Sequence, residues 1–419
     1  MKKRLKKWLI KICSANPVLK QLAANTSTFL RTTYYKLFFM NKYKIDEKVI
    51  LFESFMGRQM SCSPKALYRA MLRDEKYKDY KKVWAFVTPK QHQELLQEGN
   101  TIVVEYKSKE YYKYCAMAKY WVTNSRMPKE LIPKKEQEYV QCWHGTPLKR
   151  LGYDIKMYNG SRRATAELRK TYDTDARRYT YLLSPSDFYT EKITSAFHLK
   201  ELKKEDIFIQ EGYPRNDYLY EYTNAAVLSI KEKLQILDGK KVILYAPTWR
   251  ENQHKAGVGY TYDLGVDFDK LYEQLRDDYV ILFRAHYFVA NAFDFEKYKG
   301  FVIDVCHYDD INHLYVASDM LITDYSSAFF DYANLNRPIL FYMYDFDMYK
   351  NNMRDFYIDI EELPGPILKK EDELIEAIKI YGSKEFEPDD KYNTFNDRFN
   401  PYRYPCSKTV LEKIITNQI

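Results

Sequence analysis

From Lys48 onward, short β-branched or aromatic runs alternate with longer stretches of helical period. Strands are predicted at Val49–Phe52, Val83–Val87, Thr101–Glu105, Tyr120–Thr123, Tyr139–Trp143, Tyr181–Ser184 and Ile207–Gln210. Helical patterns such as Pro64–Leu72 and Tyr111–Ala118 lie between several of them. Strand and helix in this alternation predict an α/β fold with a doubly wound parallel sheet. A polar helical stretch, Asn224–Gln235, runs into Asp238-Gly239, a turn signal, and the alternation then restarts. Lys241–Tyr245, Val280–Phe283, Phe301–Asp304, Met320–Thr323 and Pro338–Tyr342 form the second series. The pattern predicts two Rossmann-like domains, 46–235 and 236–419, facing across a cleft, with no internal repeat and no low-complexity linker.

The first 45 residues follow a different pattern. Leu5, Trp8, Leu9 and Ile12 recur at helical spacing, and Lys2, Lys3, Arg4, Lys6, Lys7 and Lys11 fill the remaining face. A Trp and aliphatic residues on one side with cations around them suit the surface of an anionic bilayer. Phe29 to Met40 adds Leu30, Tyr34, Leu37, Phe38 and Phe39 to the same tendency. The expectation is a peripheral membrane arm at 1–45, whose removal frees the protein from anionic vesicles. A basic tail, or a helix docked on the body, is the plainer alternative.

Charge bears on this picture once it is located. The formal net charge is +8, yet residues 1–45 hold eleven Lys/Arg and no Asp or Glu. What remains in 46–419 is 55 basic against 58 acidic residues, so the body is mildly acidic and poorly suited to wrapping nucleic acid. The length suits two packed domains, and 16% aromatic residues supply ample surface to bury. Six cysteines at 13, 62, 115, 142, 306 and 406 form no C-x-x-C pair, which reads as reduced thiols in a cytoplasmic setting. No apolar run is long enough for a transmembrane helix, and Lys11 interrupts the stretch that a signal peptide would need.

In open α/β sheets ligands bind beyond the carboxyl ends of the strands, so the residues there are the candidates for chemistry. Trp143-His144-Gly145-Thr146-Pro147-Leu148-Lys149 follows the fifth predicted strand. His144 beside a glycine is a candidate general base, because imidazole titrates near neutral pH. Ala246-Pro247-Thr248-Trp249-Arg250 and Arg284-Ala285-His286 close neighbouring strands of the second series. An Arg and a His so placed can cradle a diphosphate and meet charge on a leaving group. Thr323-Asp324-Tyr325-Ser326-Ser327, followed by Asp331, puts hydroxyl groups at a strand-to-helix junction where phosphate can bind. Each of these also has a structural reading, as a satisfied histidine, a surface ion pair or a helix cap.

Several motifs fall short. There is no Walker-type loop, and Gly257-Val258-Gly259 lacks the rest of a dinucleotide fingerprint. Asp267-Phe268-Asp269 and Asp345-Phe346-Asp347 read as loop or helix-cap residues rather than metal ligands. Cys306, His307 and His313 are too sparse for zinc. No Gly-x-Ser-x-Gly is present, which disfavours a serine hydrolase.

Taken in order, Trp143–Lys149, Gly212-Tyr213-Pro214-Arg215-Asn216-Asp217, Ala246–Arg250, Arg284–His286 and Thr323–Ser327 with Asp331 resemble the CDP-glycerol glycerophosphotransferase family of Gram-positive wall teichoic acid synthesis. The resemblance spans about residues 48–380. It implies a GT-B-like architecture, an acceptor domain at 46–235, and a CDP-donor-binding domain at 236–419 with a terminal helix. It also implies His144 as base and His286 at the donor phosphates, where Tyr287 stands in place of the more usual Pro. Thr248, Arg250, Arg284, Thr323, Asp324, Ser326, Ser327 and Asp331 would line the donor site, and Gly145, Thr146, Lys149, Arg215 and Asp217 the acceptor side. A body that starts near residue 46 looks more like a primase or short polyol-phosphate transferase than a polymerase.

The implied reaction moves glycerol phosphate, or alternatively ribitol phosphate, from a CDP-polyol to a hydroxyl of a lipid-linked teichoic-acid-type acceptor and releases CMP. No protein metal site is expected, although Mg²⁺ can ride on the diphosphate. Two rivals remain at this point. One is a GT-B glycosyltransferase or epimerase using a nucleotide sugar, and the other a non-catalytic, membrane-bound polymer-binding scaffold.

Overall fold

The computed structural model describes residues 17–158, 162–248, 254–255, 259–260, 265–285, 295–346 and 356–416. These residues form two compact units. The first comprises the described parts of Met1–Gln59, Met71–Gln141 and Arg178–Thr180. The second comprises those of Met60–Ala70, Cys142–Arg177 and Tyr181–Ile419.

In the first unit, strands β1 (Asp46–Glu53), β2 (Lys81–Phe86), β3 (Thr101–Glu105), β4 (Ala118–Thr123) and β5 (Glu138–Gln141) run parallel in the order β3-β2-β1-β4-β5. The last five residues of β1 and of β2 are buried, as a parallel sheet covered on both faces requires. Phe52 and Trp84 stack at 5.4 Å, and Trp84 and Phe86 at 5.5 Å. Glu53, at the carboxyl end of β1, and Lys82, in β2, are charged residues within this interior. Glu53 is fully buried, and its Oε2 accepts a 2.8 Å hydrogen bond from the Tyr111 hydroxyl. Burial pushes its carboxyl up to about 7, and Tyr111 and Lys107 offset only part of that.

The helix Pro17–Tyr35 continues into a π-helical turn, Lys36–Met40. Leu22, Phe29, Leu30, Leu37 and Phe38 are all exposed along it. Tyr35 and Phe39 are buried instead, with their rings 6.1 and 5.6 Å from that of Tyr112. These two side chains are part of the core of the first unit, so a cut at residue 45 would remove core as well as arm. The basic face predicted over Lys2, Lys3, Arg4, Leu5, Lys6, Lys7, Trp8, Leu9, Lys11 and Ile12 lies outside the described residues. Among the described residues no helix is long and apolar enough to cross a membrane.

The second unit contains a parallel pair, β6 (Tyr181–Ser184) with β7 (Phe208–Gln210). Its larger sheet has six strands: β8 (Lys241–Ala246), β11 (Tyr279–Phe283), β12 (Val302–Asp304), β13 (Met320–Thr323), β14 (Ile339–Tyr342) and β15 (Ile367–Leu368). All pairings are parallel, in the order β12-β11-β8-β13-β14-β15. Counted from β8 this is 3-2-1-4-5-6, the order of a dinucleotide-binding sheet, with its topological switch point between β8 and β13. A small antiparallel pair, β9 (His254–Lys255) and β10 (Gly259–Tyr260), intervenes. Strand alternation sorts the core. Val242, Leu244, Val280, Leu282 and Leu321 join one apolar cluster, while Ile243, Tyr245, Ile281, Phe283 and Ile322 join the other.

Every strand predicted from the pattern is present, and the fold is the expected α/β class with two parallel sheets. β15 escaped the pattern because two residues after Pro364-Gly365-Pro366 carry no periodicity. Asp267 caps the helix Phe268–Leu275 by accepting from the Asp269 N–H at 2.9 Å, as expected of that motif. The described cysteines are free thiols.

Candidate functional site

The sheet order makes the gap between β8 and β13 the place to look, and both strand ends meet there. Thr323, fully buried, donates from Oγ1 to the Ala246 carbonyl at 2.8 Å. Asp324 accepts on one oxygen from the Thr248 N–H at 2.8 Å and from the Tyr325 N–H at 2.6 Å. These two side chains lock the loops in place. Ser326 and Ser327, both half-buried, then lead into the short helix Ala328–Tyr332, with Ser326 Oγ accepting from the Ala328 N–H at 3.2 Å.

The His144 turn sits against this loop. A Cβ added to Gly145 would stand 2.9 Å from Ser327 Oγ and 4.0 Å from Arg215 Nη2, so glycine permits the close approach. Trp143, before His144, holds a left-handed backbone at φ +51°, a conformation that a bulky residue keeps only when its surroundings impose it. Its indole packs edge-on to Phe197 at 5.2 Å and stacks on the His144 ring at 4.6 Å. Trp143, Gly145, Thr146 and Leu148 are buried while His144 is exposed, so the turn presents the imidazole and hides its supports.

Beneath the turn lies a buried ionic knot. Arg215 Nη2 donates to Asp331 Oδ1 at 2.8 Å, and Asn216 Nδ2 reaches the same oxygen at 3.1 Å. The Arg215 guanidinium lies 4.2 Å over the Tyr213 ring and 3.8 Å from Cys62 Sγ. Its backbone N–H donates to Ser63 Oγ at 3.4 Å, and its carbonyl accepts from Asn312. Burial works against the arginine's charge, but Asp331, Cys62 and Tyr213 together outweigh it and raise its pKa. Arg215 and Asp331, expected on the acceptor and donor sides respectively, are thus paired with each other.

Arg284 ends β11, and its Nη1 donates to the carbonyls of Val305 at 2.9 Å and Tyr308 at 2.7 Å. Burial lowers its pKa, with Tyr315, Cys306, Asp310 and Asp309 compensating in part. Among the described residues no carboxylate stands within ion-pair distance of it. A half-buried guanidinium held by two carbonyls favours an incoming anion.

Asp217 is engaged by another helix. Its oxygens accept from the N–H groups of Cys406 at 2.8 Å and Ser407 at 2.9 Å, at the start of the helix Ser407–Thr416. Burial raises its pKa, and its hydrogen bonds with Ser407 and Cys406 draw it partly back. Lys149 pairs its backbone with Phe356, and Leu148 accepts from the Tyr357 N–H at 2.8 Å. Arg250 and His286 lie outside the described residues.

Cys62 and Ser63 are members of the knot that no sequence motif marked. A second switch point, between β1 and β4, also went unmarked. There Phe55, Met56 and Gly57 are successive left-handed residues with φ of 47°, 59° and 74°. Their loop is held by Asn124 Oδ1 on the Phe55 N–H at 2.8 Å and Ser125 Oγ on the Met56 N–H at 3.0 Å. Asn-Ser-Arg directly after a predicted strand was the available signal. Among the described residues no group of three or more His, Cys, Asp or Glu could hold a metal ion.

Comparison with known proteins agrees with this geometry. The chain is 39% identical to the teichoic acid poly(glycerol phosphate) polymerase of Bacillus spizizenii, over 88% of this chain and 92% of that one. It is also 39% identical to the protein of the same description from Bacillus subtilis, over 91% of this chain and 50% of that one, so it spans half of that relative's length. The poly(ribitol-phosphate) polymerase of B. spizizenii is more distant, at 35% over 59% of this chain and 38% of its own length. A solved structure of the wall teichoic acid polymerase TagF superposes with a TM-score of 0.82 at 35% identity, covering 95% of this chain and 96% of that one. The match to almost all of one polymerase removes the argument that so short a body marks a primase. The family model for CDP-glycerol:poly(glycerophosphate) glycerophosphotransferase matches residues 33–416, and the chain belongs to that family.

Proposed function

We propose that the protein transfers glycerol phosphate from CDP-glycerol to a terminal hydroxyl of a teichoic-acid-type acceptor and releases CMP. The observation that carries this reading is the Gly145 contact, which sets an exposed imidazole on a turn packed against the Ser326-Ser327 loop at the switch point of a nucleotide-binding sheet. His144 takes the proton of the acceptor hydroxyl as its oxygen attacks the glycerol-bearing phosphorus. The bond from that phosphorus to the CMP oxygen breaks, and the electron pair leaves with CMP. The hydroxyls of Ser326 and Ser327, the charge of Arg284, and His286 and Arg250 are assigned to the donor phosphates. Such chemistry depends on positioning and charge stabilisation rather than on a covalent enzyme intermediate. A divalent ion, where the reaction uses one, enters on the donor diphosphate, and titration with EDTA reads that dependence.

Glycerol is favoured over ribitol by the higher identity and wider coverage of the glycerol-phosphate relatives. The same relatives favour phosphotransfer over glycosyl transfer, epimerisation or a scaffold role. The acceptor is assigned as lipid-linked and the location as the cytoplasmic membrane surface. The apolar side chains exposed along Pro17–Met40 support that assignment, next to the basic arm that precedes them.

The test is CMP release from purified protein with CDP-glycerol or CDP-ribitol and a membrane-derived acceptor. Acceptor-dependent CMP from CDP-glycerol is expected, falling at least about a hundredfold in His144→Ala. Release of a nucleoside diphosphate from a nucleotide sugar, with no CMP from either donor, would overturn the reading.

A further inference from the structure

Beyond His144 the same stretch of chain helps to form a groove that the transfer chemistry does not use. Tyr153, Lys156, Met157, Arg162, Arg169 and Lys170 are among its walls, and it encloses about 390 Å³. That volume falls in the range of small-molecule sites, about 300–1,000 Å³. Its charge is lopsided. Four cations line it against one carboxylate, Asp173, and that carboxylate is already engaged. Asp173 Oδ2 accepts from the Tyr153 hydroxyl at 2.8 Å, and Oδ1 lies 3.3 Å from His198 Nδ1. The Tyr153 and His198 rings stack at 4.1 Å, which fixes the arrangement.

The cations differ in how they are held. Arg169 is half-buried, its Nη2 donating to the carbonyls of Tyr153 and Ile155 at 3.3 Å each. Its Nε is buried without a hydrogen-bond partner. Arg162 and Lys170 are exposed, and among the described residues neither has a carboxylate within ion-pair distance, whereas neighbouring Arg163 pairs with Glu167 at 3.3 Å. An excess of like charge, four cations against one carboxylate, raises the local potential and draws in an anion. A single free phosphate would engage one or two of them. Arg162, Arg169 and Lys170 on one helix, with Lys156 on the segment before it, suit a ligand that repeats its negative charge.

We infer that this groove binds phosphodiester groups of the acceptor chain, behind the hydroxyl that reacts at His144. The inference rests on the proposed transferase reading and adds the chemical feature by which the acceptor is held. Recognition through repeated phosphates tolerates an acceptor of any length, because each added unit presents the same charge at the same spacing.

The experiment uses the full-length protein and a fluorescently labelled short oligomer of glycerol phosphate. The variant is the double charge reversal Arg162→Glu with Lys170→Glu, chosen because both side chains are exposed and unpaired by carboxylates. Binding is read by anisotropy without turnover, at low and at physiological salt. The dissociation constant should rise at least about tenfold, as attraction to phosphate turns to repulsion, and its salt dependence should flatten. In the CMP assay the KM for the oligomer should rise alongside, with kcat and the KM for CDP-glycerol unchanged. Unaltered oligomer binding would overturn the inference. So would a variant that binds the oligomer normally but loses vesicles containing about 30 mol% anionic lipid, since the groove would then serve lipid headgroups. Oligomer binding lost in the variant, together with a wild type that releases no CMP, would sustain the groove and sink the transferase reading instead.

Discussion

At the residue scale, the site depends on what is missing from Gly145. A methyl group there would meet Ser327 Oγ at 2.9 Å, so either the serine hydroxyl must rotate away from its place beside the turn or the His144 turn must shift. Gly145→Ala should lower the melting temperature modestly, because alanine disfavours the glycine's φ of +157°, while CMP release falls by up to about a hundredfold, the loss typical of a misplaced catalytic group. Glu53 makes a prediction about pH. Its folded-state carboxyl titrates near 7 against an ordinary value of 4.5, so between those pH values the folded state holds a proton that the unfolded state has lost. Stability from this group therefore declines as pH rises from 4.5 to about 7 and stays reduced above it. Glu53→Gln keeps the acceptor for Tyr111 without the charge. Denaturant unfolding should find it equal to wild type near pH 4.5 and more stable at pH 8, by up to about 3 kcal/mol. His144 was legible as a residue because it follows a predicted strand and precedes a glycine. The burial of Glu53 was not, since one carboxylate at a strand end reads as solvent-facing until its neighbours are known.

At the scale of elements, the strands were legible because both faces of a parallel sheet are covered, which leaves dense apolar runs in the chain. The donor loops were legible for the same reason, since locating β8, β11 and β13 also locates their carboxyl ends. Pairings across long stretches of sequence were not. Nothing in Gly212–Asp217 announces that Arg215 meets Asp331, or that Asp217 turns away to the helix Ser407–Thr416. That helix has no acidic residue in its first turn, and Asp217 supplies the negative charge and the acceptors from a distance. Asp217→Ala should cost about 1–2 kcal/mol in equilibrium unfolding, the range for a lost helix cap. Amide exchange should accelerate first in residues 407–416. A loss of CMP release without any loss of stability would return Asp217 to the acceptor site.

At the scale of the whole molecule, the question is how a protein with no apolar membrane-spanning helix among its described residues would meet the lipid-linked acceptor proposed for it. The helix Pro17–Tyr35 and the turn after it expose Phe29 at 68%, Leu30 at 61% and Leu37 at 61%, a run of apolar surface that water does not favour. Replacing Phe29, Leu30, Leu37 and Phe38 by Gln leaves Tyr35 and Phe39 in the core. Flotation with anionic vesicles should then show at least about a fivefold loss of bound protein, with turnover on a soluble acceptor retained. Vesicle binding that survives the substitutions would place the contact elsewhere.

The knot around Arg215 also says something about how the chain is made. Ser63 and Arg215 are 152 residues apart in sequence, and Arg215 and Asp331 a further 116. Met60–Ala70 is made long before Asp331, yet both belong to one unit. A segment so far ahead of its partners in sequence waits for them through much of translation. Loop closure over such separations slows folding. A nascent chain stalled before Asp331 would carry the His144 turn without the Arg215–Asp331 pair, so the arrangement around His144 is complete only once Asp331 has been made.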